Sequence, residues 1–152
     1  MDHAAAAKED AAPVHMTLRL AQELSRRVEE EAARQGIRIV CAVADAGGHL
    51  RLMHGMDDAY IGSVDVAVNK AYTCAAFRMS TQQLSVLAAP GGPLYGIQHT
   101  NGGRIVIFGG GEPLVLDGRL VGALGVSGGS AEQDTALAAY GASVLKEVVS
   151  CL

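Results

Sequence analysis

Apolar residues recur at helical spacing in the first regular segment of the chain. From Thr17 to Gln35, Leu, Ala and Val return every three or four positions, with Arg and Glu between them. This spacing predicts an amphipathic helix. Thr17 suits the N-cap, because its hydroxyl can accept from a free backbone N–H, and Gly36 suits the C-terminal stop.

Two short β-rich runs follow this helix. The first extends from Ile37 to Asp45, and the second extends from His49 to Met53, after Gly47-Gly48. Two such runs around a Gly-Gly pair predict a β-hairpin.

A second helix is predicted between Ser63 and Phe77, where apolar positions leave only a narrow polar stripe. A helix with this pattern is largely buried. A shorter helix is predicted over Gln82 to Leu87. An irregular loop begins at residues 89–93, because two prolines and two glycines interrupt any regular structure there.

The last third of the chain predicts three strands and a final helix. The strands are Arg104 to Phe108, Pro113 to Leu116 and Arg119 to Val126. The last two strands meet at Asp117-Gly118, which is a strong hairpin signal. Ser130 to Gln133 matches a capping box, and the helix that it begins is predicted to run to about Val149.

In the predicted order of elements, strands linked by hairpins outnumber alternating β and α units. We therefore predict an α+β fold in which helices flank a five-stranded antiparallel sheet. A length of 152 residues fits one domain. We expect that domain over residues 17–152, after a flexible tail over residues 1–16.

Composition narrows the class of protein. Hydrophobic residues make up 49% of the chain and charged residues 18%, so little charge covers an isolated surface and a homo-oligomer is expected. The net charge of −4, without a clustered basic face, argues against nucleic acid and acidic membranes as partners. No stretch approaches the roughly 18 apolar residues of a membrane span. The first residues lack the order of a secretion signal, and we expect a cytoplasmic protein.

The three cysteines, Cys41, Cys74 and Cys151, are widely spaced and form no CxxC pair. This pattern favours neither a disulfide framework nor a zinc site. We expect reduced, buried thiols.

Four segments in order carry a resemblance to a known family. They are Asp45-Ala46-Gly47-Gly48-His49-Leu50, Met56-Asp57-Asp58-Ala59, Asn69-Lys70-Ala71 and residues 122–134, GALGVSGGSAEQD. With them, residues 17–149 resemble the GlcG/HbpS family of small haem-binding proteins, which also occurs as the C-terminal domain of PduO-type corrinoid adenosyltransferases. The resemblance implies a profilin-like or PAS-like layout, oligomers built from dimers, and haem or a corrinoid as the small-molecule ligand.

The chain departs from the family pattern at one position. Where the family often carries Arg just before its Met-Asp-Asp-Ala segment, this chain has Gly55, preceded by His54. A cation is lost there and an imidazole lies beside the gap.

Four histidines are candidate ligands of haem iron, which is usually held by His, Cys, Met or Tyr. His49 abuts the tight turn, where a polar turn residue is the alternative, and His15 falls in the tail. His54 and His99 lie in irregular stretches beside predicted strands, where binding groups tend to occur. We predict that these two hold the iron, with a solvated loop histidine as the alternative for each.

Lys70 falls on the apolar second helix, where an unpaired ammonium would be costly to bury. It must therefore reach water, a carboxylate or an anionic ligand. The carboxylates that could pair with it are Asp57, Asp58, Asp65, Glu132 and Asp134. A structural ion pair is one interpretation and direct contact with an anionic ligand is the other. If the protein is an enzyme, Lys70 and a carboxylate such as Asp134 are the candidate acid–base pair.

The segment Ser127-Gly128-Gly129-Ser130 leads from a predicted strand into the final helix. Free N–H groups at such a helix start could hold a carboxylate or a haem propionate. Glu132 and Asp134 already place negative charge on the same turn, so structural glycines are the alternative. The full set of candidate cofactor-binding residues is His49, His54, His99, Asn69, Lys70, Arg104, Ser127 and Gly128.

Three functions follow from these observations. The leading hypothesis is a tetrapyrrole-binding accessory protein that stores, carries or senses haem or a corrinoid beside metabolic enzymes. The second is an enzyme that acts on a small oxygenated metabolite through Lys70 and a carboxylate. The third is a structural oligomer or partner-docking module.

Overall fold

A computed structural model of the chain describes residues 12–152. The helices are α1 (Leu18–Arg34), α2 (Gly62–Phe77), α3 (Thr81–Leu87), α4 (Ala131–Ser143) and α5 (Leu145–Ser150). The strands are β1 (Val40–Asp45), β2 (Leu50–Gly55), β3 (Gly111–Leu116) and β4 (Arg119–Ser127). Two 3₁₀ turns, Ile97–His99 and Asn101–Gly103, lie between α3 and β3.

The strands form one antiparallel sheet in the order β2-β1-β4-β3. Two hairpins, β1 with β2 and β3 with β4, are joined through the central pairing of β1 with β4. The α+β class and the antiparallel sheet flanked by helices are confirmed. The prediction of five strands is wrong, because the described residues contribute four.

The missing strand is the segment 104–108, whose backbone bonds to a helix instead of to the sheet. The N–H of Val106 donates to the hydroxyl of Thr73 on α2 at 3.1 Å. The same hydroxyl lies 3.3 Å from the carbonyl oxygen of Arg104. Ile105 is buried. An apolar run that packs along a helix has the same composition as a strand, so the local pattern predicted the wrong element.

Helices cover both faces of the sheet. On one face, which we call the α1 face, α1, α4 and α5 form the larger core, which includes Leu20, Leu24, Val28, Leu124, Leu137 and Leu145. On the opposite face, the α2 face, α2 packs on small residues of β1, including Ala42 and Ala44.

Gly125 of β4 sets how closely α2 approaches the sheet. A Cβ at this position would collide with the carbonyl oxygen of Ala67 on α2. Any side chain at 125 would therefore push the helix outward. Glycine here fixes the position of α2, which carries Asn69, Lys70 and Tyr72.

The helix ends largely follow the predicted signals. Thr17 accepts from the N–H of Leu20 at 3.1 Å, and Ser130 and Gln133 form a reciprocal capping box. The final helix differs from its prediction, because it is divided at Val144 (φ −93°, ψ −1°) into α4 and α5.

The predicted tail lies mostly outside the described residues, and two of the three cysteines are buried as expected. Residues 1–11 of the predicted tail lie outside the described residues, whereas Met16 packs into the core of the α1 face. Cys41 and Cys74 are buried, and burial raises the pKa of both thiols to about 12. Cys151 is exposed, contrary to the prediction. No helix within residues 12–152 has both the length and the apolar character needed to cross a bilayer.

Candidate functional site

A groove of about 320 Å³ opens on the α2 face, beside the start of β2. It is lined by Ala44, Gly48, His49, Leu50, Val68, Asn69, Tyr72 and Arg104. The groove therefore combines aliphatic side chains with an imidazole, an amide, a phenol and a guanidinium. Three of the residues predicted from sequence, His49, Asn69 and Arg104, come together here.

The turn between β1 and β2 positions His49 through Asp45. One carboxylate oxygen of Asp45 accepts from the backbone N–H groups of Gly47 and His49, both at 2.9 Å. The imidazole Nδ1 of His49 lies 3.1 and 3.2 Å from the two carboxylate oxygens. Because a carboxylate only accepts, Nδ1 carries the hydrogen in the neutral ring and Nε2 keeps its lone pair. A carboxylate that orients an imidazole in this way is the usual partner of a metal-binding histidine.

The charge of Asp45 supports this arrangement. Partial burial opposes ionisation of its carboxyl group, but the N–H groups of His49 and Gly47 outweigh it, and the pKa of Asp45 lies below its ordinary value. The carboxylate is therefore ionised at neutral pH and can hold the Nδ1 hydrogen of His49.

Contacts with α2 and with the preceding 3₁₀ turn hold Arg104. Its guanidinium carbon lies 3.7 Å from the centre of the Tyr72 ring. Its Nε donates to the carbonyl oxygen of Asn101 at 3.3 Å, and the Asn101 amide donates to the Tyr72 hydroxyl at 3.1 Å. The three residues thus form a stacked unit at the groove, in which the cation faces an aromatic ring.

Lys70 lies inside the molecule. Its side chain is 0% exposed, and its Nζ donates to the carbonyl oxygen of Val126 at 2.8 Å. The Nζ also lies 3.4 Å from a carboxylate oxygen of Asp134 and 4.9 Å from the centre of the Phe108 ring. Burial lowers the pKa of Lys70, and Asp134 opposes that effect. Gly110 has a φ of +123°, and a Cβ there would collide with the carbonyl oxygen of Val126 as well as with the ammonium, so glycine is needed at this position.

Asp134 fills the start of α4. Its carboxylate accepts from the N–H of Gly129 at 2.8 Å and lies 3.4 Å from the backbone nitrogen of Gly128. The hydroxyl of Ser127 donates to Ser63 at 3.1 Å. The N–H groups that could receive a propionate therefore face the protein's own carboxylate. Of the five carboxylates considered as partners of Lys70, Asp134 is the one that pairs with it.

His54 and His99 lie in different elements, and neither is near His49 in the groove lining. His54 belongs to β2 itself, and its Nδ1 lies 2.9 Å from Glu29 and 3.3 Å from Ser25, both on α1. His99 is exposed in the first 3₁₀ turn, close in sequence to Asn101, which bonds α2. Neither histidine lines the groove.

Comparison with known proteins identifies the family. The family model described as "Haem degrading protein HbpS-like" matches residues 16–143. The chain belongs to the HbpS-like family. This confirms the resemblance that the four sequence segments predict.

Relatives of this HbpS-like chain cover most of its length. An uncharacterized 15.0 kDa protein from the dhaT-dhaS intergenic region of Citrobacter freundii is 46% identical over 123 residues, 81% of this chain and 87% of the relative. The crystal structure of Klebsiella pneumoniae protein OrfY has a TM-score of 0.84 at 36% identity and covers 92% of this chain and 97% of its own. The crystal structure of a PduOC–haem complex has a TM-score of 0.81 at 36% identity, with 86% and 94% covered.

His49 of this HbpS-like chain also borders a second cavity, of about 600 Å³, beside the start of α1. His15 and Arg51 contribute to its walls. Within residues 12–152, no three His, Cys, Asp or Glu side chains converge on a point where they could hold a metal ion.

Sequence reasoning missed two residues of the site, Asp45 and Tyr72. An Asp at the start of a turn commonly accepts from the backbone N–H two residues on, and Asp45 stands two residues before Gly47, which was a signal for its role in the turn. Tyr72 follows Asn69 by three residues on a helix, a spacing that places the two side chains side by side.

Proposed function

We propose that this HbpS-like chain is a haem-binding accessory protein and that the groove on the α2 face holds the haem. The observation that carries this proposal is the set of groups in the groove. Haem requires apolar walls, an axial ligand and groups that meet its propionates. Leu50 and Val68 provide apolar contacts, His49 provides an imidazole nitrogen and Arg104 provides a cation. When bound, haem would supply the iron, and the protein would supply its position and one ligand.

The relatives support haem as the ligand. PduOC is 36% identical to this chain and was crystallised as a complex with haem. The description of the matching family model also names haem.

The geometry favours His49 over the two histidines that the sequence favours. The Nδ1 of His54 is engaged with Glu29 and Ser25 on the α1 face. His99 lies outside the groove. His49 alone of the three combines a position in the groove with a carboxylate that orients its ring.

A haemin titration followed by the visible spectrum tests the proposal. We expect saturable binding to the parent protein, and a displaced Soret band with weaker binding in His49→Ala. The matched controls His54→Ala and His99→Ala should retain the parent spectrum. Absence of saturable binding to the parent would overturn the function. Loss in either control, with binding intact in His49→Ala, would overturn the site.

The second cavity needs its own variant. His15→Ala alters that cavity but not the groove, and we expect it to bind haemin as the parent does. If His15→Ala and His49→Ala both lose the parent spectrum, the haem lies in the cavity beside α1 and the groove is not the site.

A homo-oligomer is part of the proposal. Ligand pockets are commonly about 300–1,000 Å³, so a groove of about 320 Å³ encloses only part of a tetrapyrrole. Leu50 at the groove is 52% exposed, so apolar surface continues beyond it. A second copy could cover both. Light scattering at micromolar protein should give a mass above the 15.7 kDa of one chain, and a mass at that value would contradict the oligomer.

The acid–base enzyme alternative gains no support from the geometry. Lys70 is fully buried, and Asp134 is 4% exposed and already accepts from the backbone of Gly129. A substrate in solution has no contact with either group in this conformation.

A further inference from the structure

Arg104 is oriented by its neighbours but has no acidic partner within residues 12–152. The ion pairs of this part of the chain involve other cations, and none of its carboxylates lies within 4.0 Å of the Arg104 guanidinium. Asp45, the carboxylate beside the groove, already serves His49 and two backbone N–H groups. The groove therefore carries a positive charge that the described protein leaves unneutralised.

The contacts of Arg104 leave its binding edge available. The Nε hydrogen goes to Asn101 and the flat face lies on Tyr72. The terminal nitrogens donate to none of the described residues. These nitrogens present parallel N–H groups whose spacing matches the two oxygens of a carboxylate. Because stacking already limits the motion of the side chain, a ligand loses less conformational entropy when it binds there.

We propose that Arg104 forms a carboxylate subsite of the groove and makes it select a tetrapyrrole with ionised carboxylates over one with amides. This inference rests on the proposed function. Haem carries two propionates, whereas the corresponding side chains of a corrinoid are carboxamides, which are neutral. A guanidinium without an acidic partner gains a charge-assisted pair only with the first class. Asn69 beside it offers a neutral amide as a second donor.

The test compares haemin with haemin dimethyl ester, in which the same macrocycle carries no ionised carboxylate. We expect Arg104→Gln to weaken haemin binding about tenfold, the scale of one charge-assisted hydrogen bond, and to leave the binding of the ester unchanged. The parent should prefer haemin to the ester by a similar factor. Arg104→Lys, which keeps the charge but loses the planar fork, should fall between the parent and Arg104→Gln.

Arg119→Gln is the matched control. It removes one exposed positive charge at the start of β4, outside the groove, and should bind both compounds as the parent does. Equal losses of haemin affinity in Arg119→Gln and Arg104→Gln would mean that net charge alone acts, and would overturn the subsite. Equal losses for haemin and for its ester in Arg104→Gln would overturn it too.

A free small carboxylate is the other source of the same chemistry, and acetate is the probe for it. If acetate displaces haemin from the parent while Arg104→Gln binds haemin as tightly as the parent, the subsite does not serve a propionate and the proposal is overturned. These outcomes differ from failure of the proposed function, in which the parent would bind neither haemin nor its ester.

Discussion

Two cations on the same side of the sheet, Lys70 and Arg104, have opposite surroundings. Lys70 is fully buried, and its ammonium meets the carbonyl oxygen of Val126 and the carboxylate of Asp134. Arg104 is exposed and stacks on Tyr72, without a carboxylate among the described residues. A cation whose partners all come from the protein holds elements of the fold together. A cation that is oriented but unneutralised is the one that a ligand can use.

Among the variants of these two cations, Lys70→Met is expected to change the free energy of unfolding most. The substitution leaves Asp134 without its cation in a buried position, and breaking a buried pair costs about 3–5 kcal/mol. Urea unfolding should show this loss as a lower midpoint. Because Lys70 joins α2 to β4 and to the start of α4, the loss should be global.

Two variants sharpen this result. Lys70→Met combined with Asp134→Asn should cost less than the sum of the single substitutions, since the two groups share one interaction. Arg104→Gln, at an exposed site, should stay within about 0.5 kcal/mol of the parent. If Lys70→Met unfolds at the same urea concentration as the parent, Lys70 has no structural role, and the difference drawn between Lys70 and Arg104 is wrong.

A smaller effect is predicted for Tyr72, which acts through Arg104 as a positioning residue. Tyr72→Leu removes the ring beneath the guanidinium, and an exposed cation–π contact contributes about 0.5–1 kcal/mol. Haemin affinity should therefore fall about threefold. Tyr72→Phe keeps the ring and loses only the bond from Asn101, so it should restore most of the affinity.

The dimethyl ester separates positioning from a merely structural role of Tyr72. If the ring only shapes the groove, Tyr72→Leu should weaken the ester as much as haemin. If it positions Arg104, the ester should be unaffected. Equal losses of affinity for haemin and for its ester would contradict the proposal that Tyr72 positions Arg104 for carboxylate binding.

The sequence predicted those parts of the fold that depend on neighbouring residues. The cap at Thr17 and the turn at Asp117-Gly118 are local, and both are present. The conformation of residues 104–108, predicted to be a strand, depends on a distant residue, because the Thr73 hydroxyl accepts the backbone hydrogen bond of Val106 that a neighbouring strand would have accepted. The five residues of this segment alone could not show that Thr73 would bind their backbone.

The candidate site shows the same limit. The motif segments located His49 and Asn69, but they did not show that Asn69 faces the groove while Lys70, the next residue, faces the interior. Neighbouring residues on a helix point about 100° apart, and only the packing of α2 decides which one is buried. Strand alternation offered one unused signal, since Leu52 and His54 are two residues apart on β2 and share the α1 face.

The smallest predicted effect is the change with pH in the difference in unfolding free energy between the parent and Lys70→Met. Burial lowers the pKa of Lys70 in the folded chain, whereas an unfolded lysine titrates near 10.4. Between these two values the unfolded chain binds more protons, so the free energy of unfolding of the parent rises with pH. Methionine binds no proton, so the free energy of unfolding of Lys70→Met lacks this rise.

The difference in unfolding free energy between the parent and Lys70→Met, which we call the stability gap, should therefore widen from neutral pH to about pH 10. The buried thiols Cys41 and Cys74 lower stability at alkaline pH in both proteins, because the unfolded chain ionises first. Lys70 lowers the pKa of Cys74, but with that pKa at about 12 the thiol keeps its proton in the folded chain up to pH 10 with or without Lys70, so the thiol contributions nearly cancel in the difference. Urea unfolding of both proteins over this pH range measures the gap. A gap that narrows would show that Asp134 outweighs burial and raises the pKa of Lys70, which would make the pair a source of net attraction rather than a compensated cost.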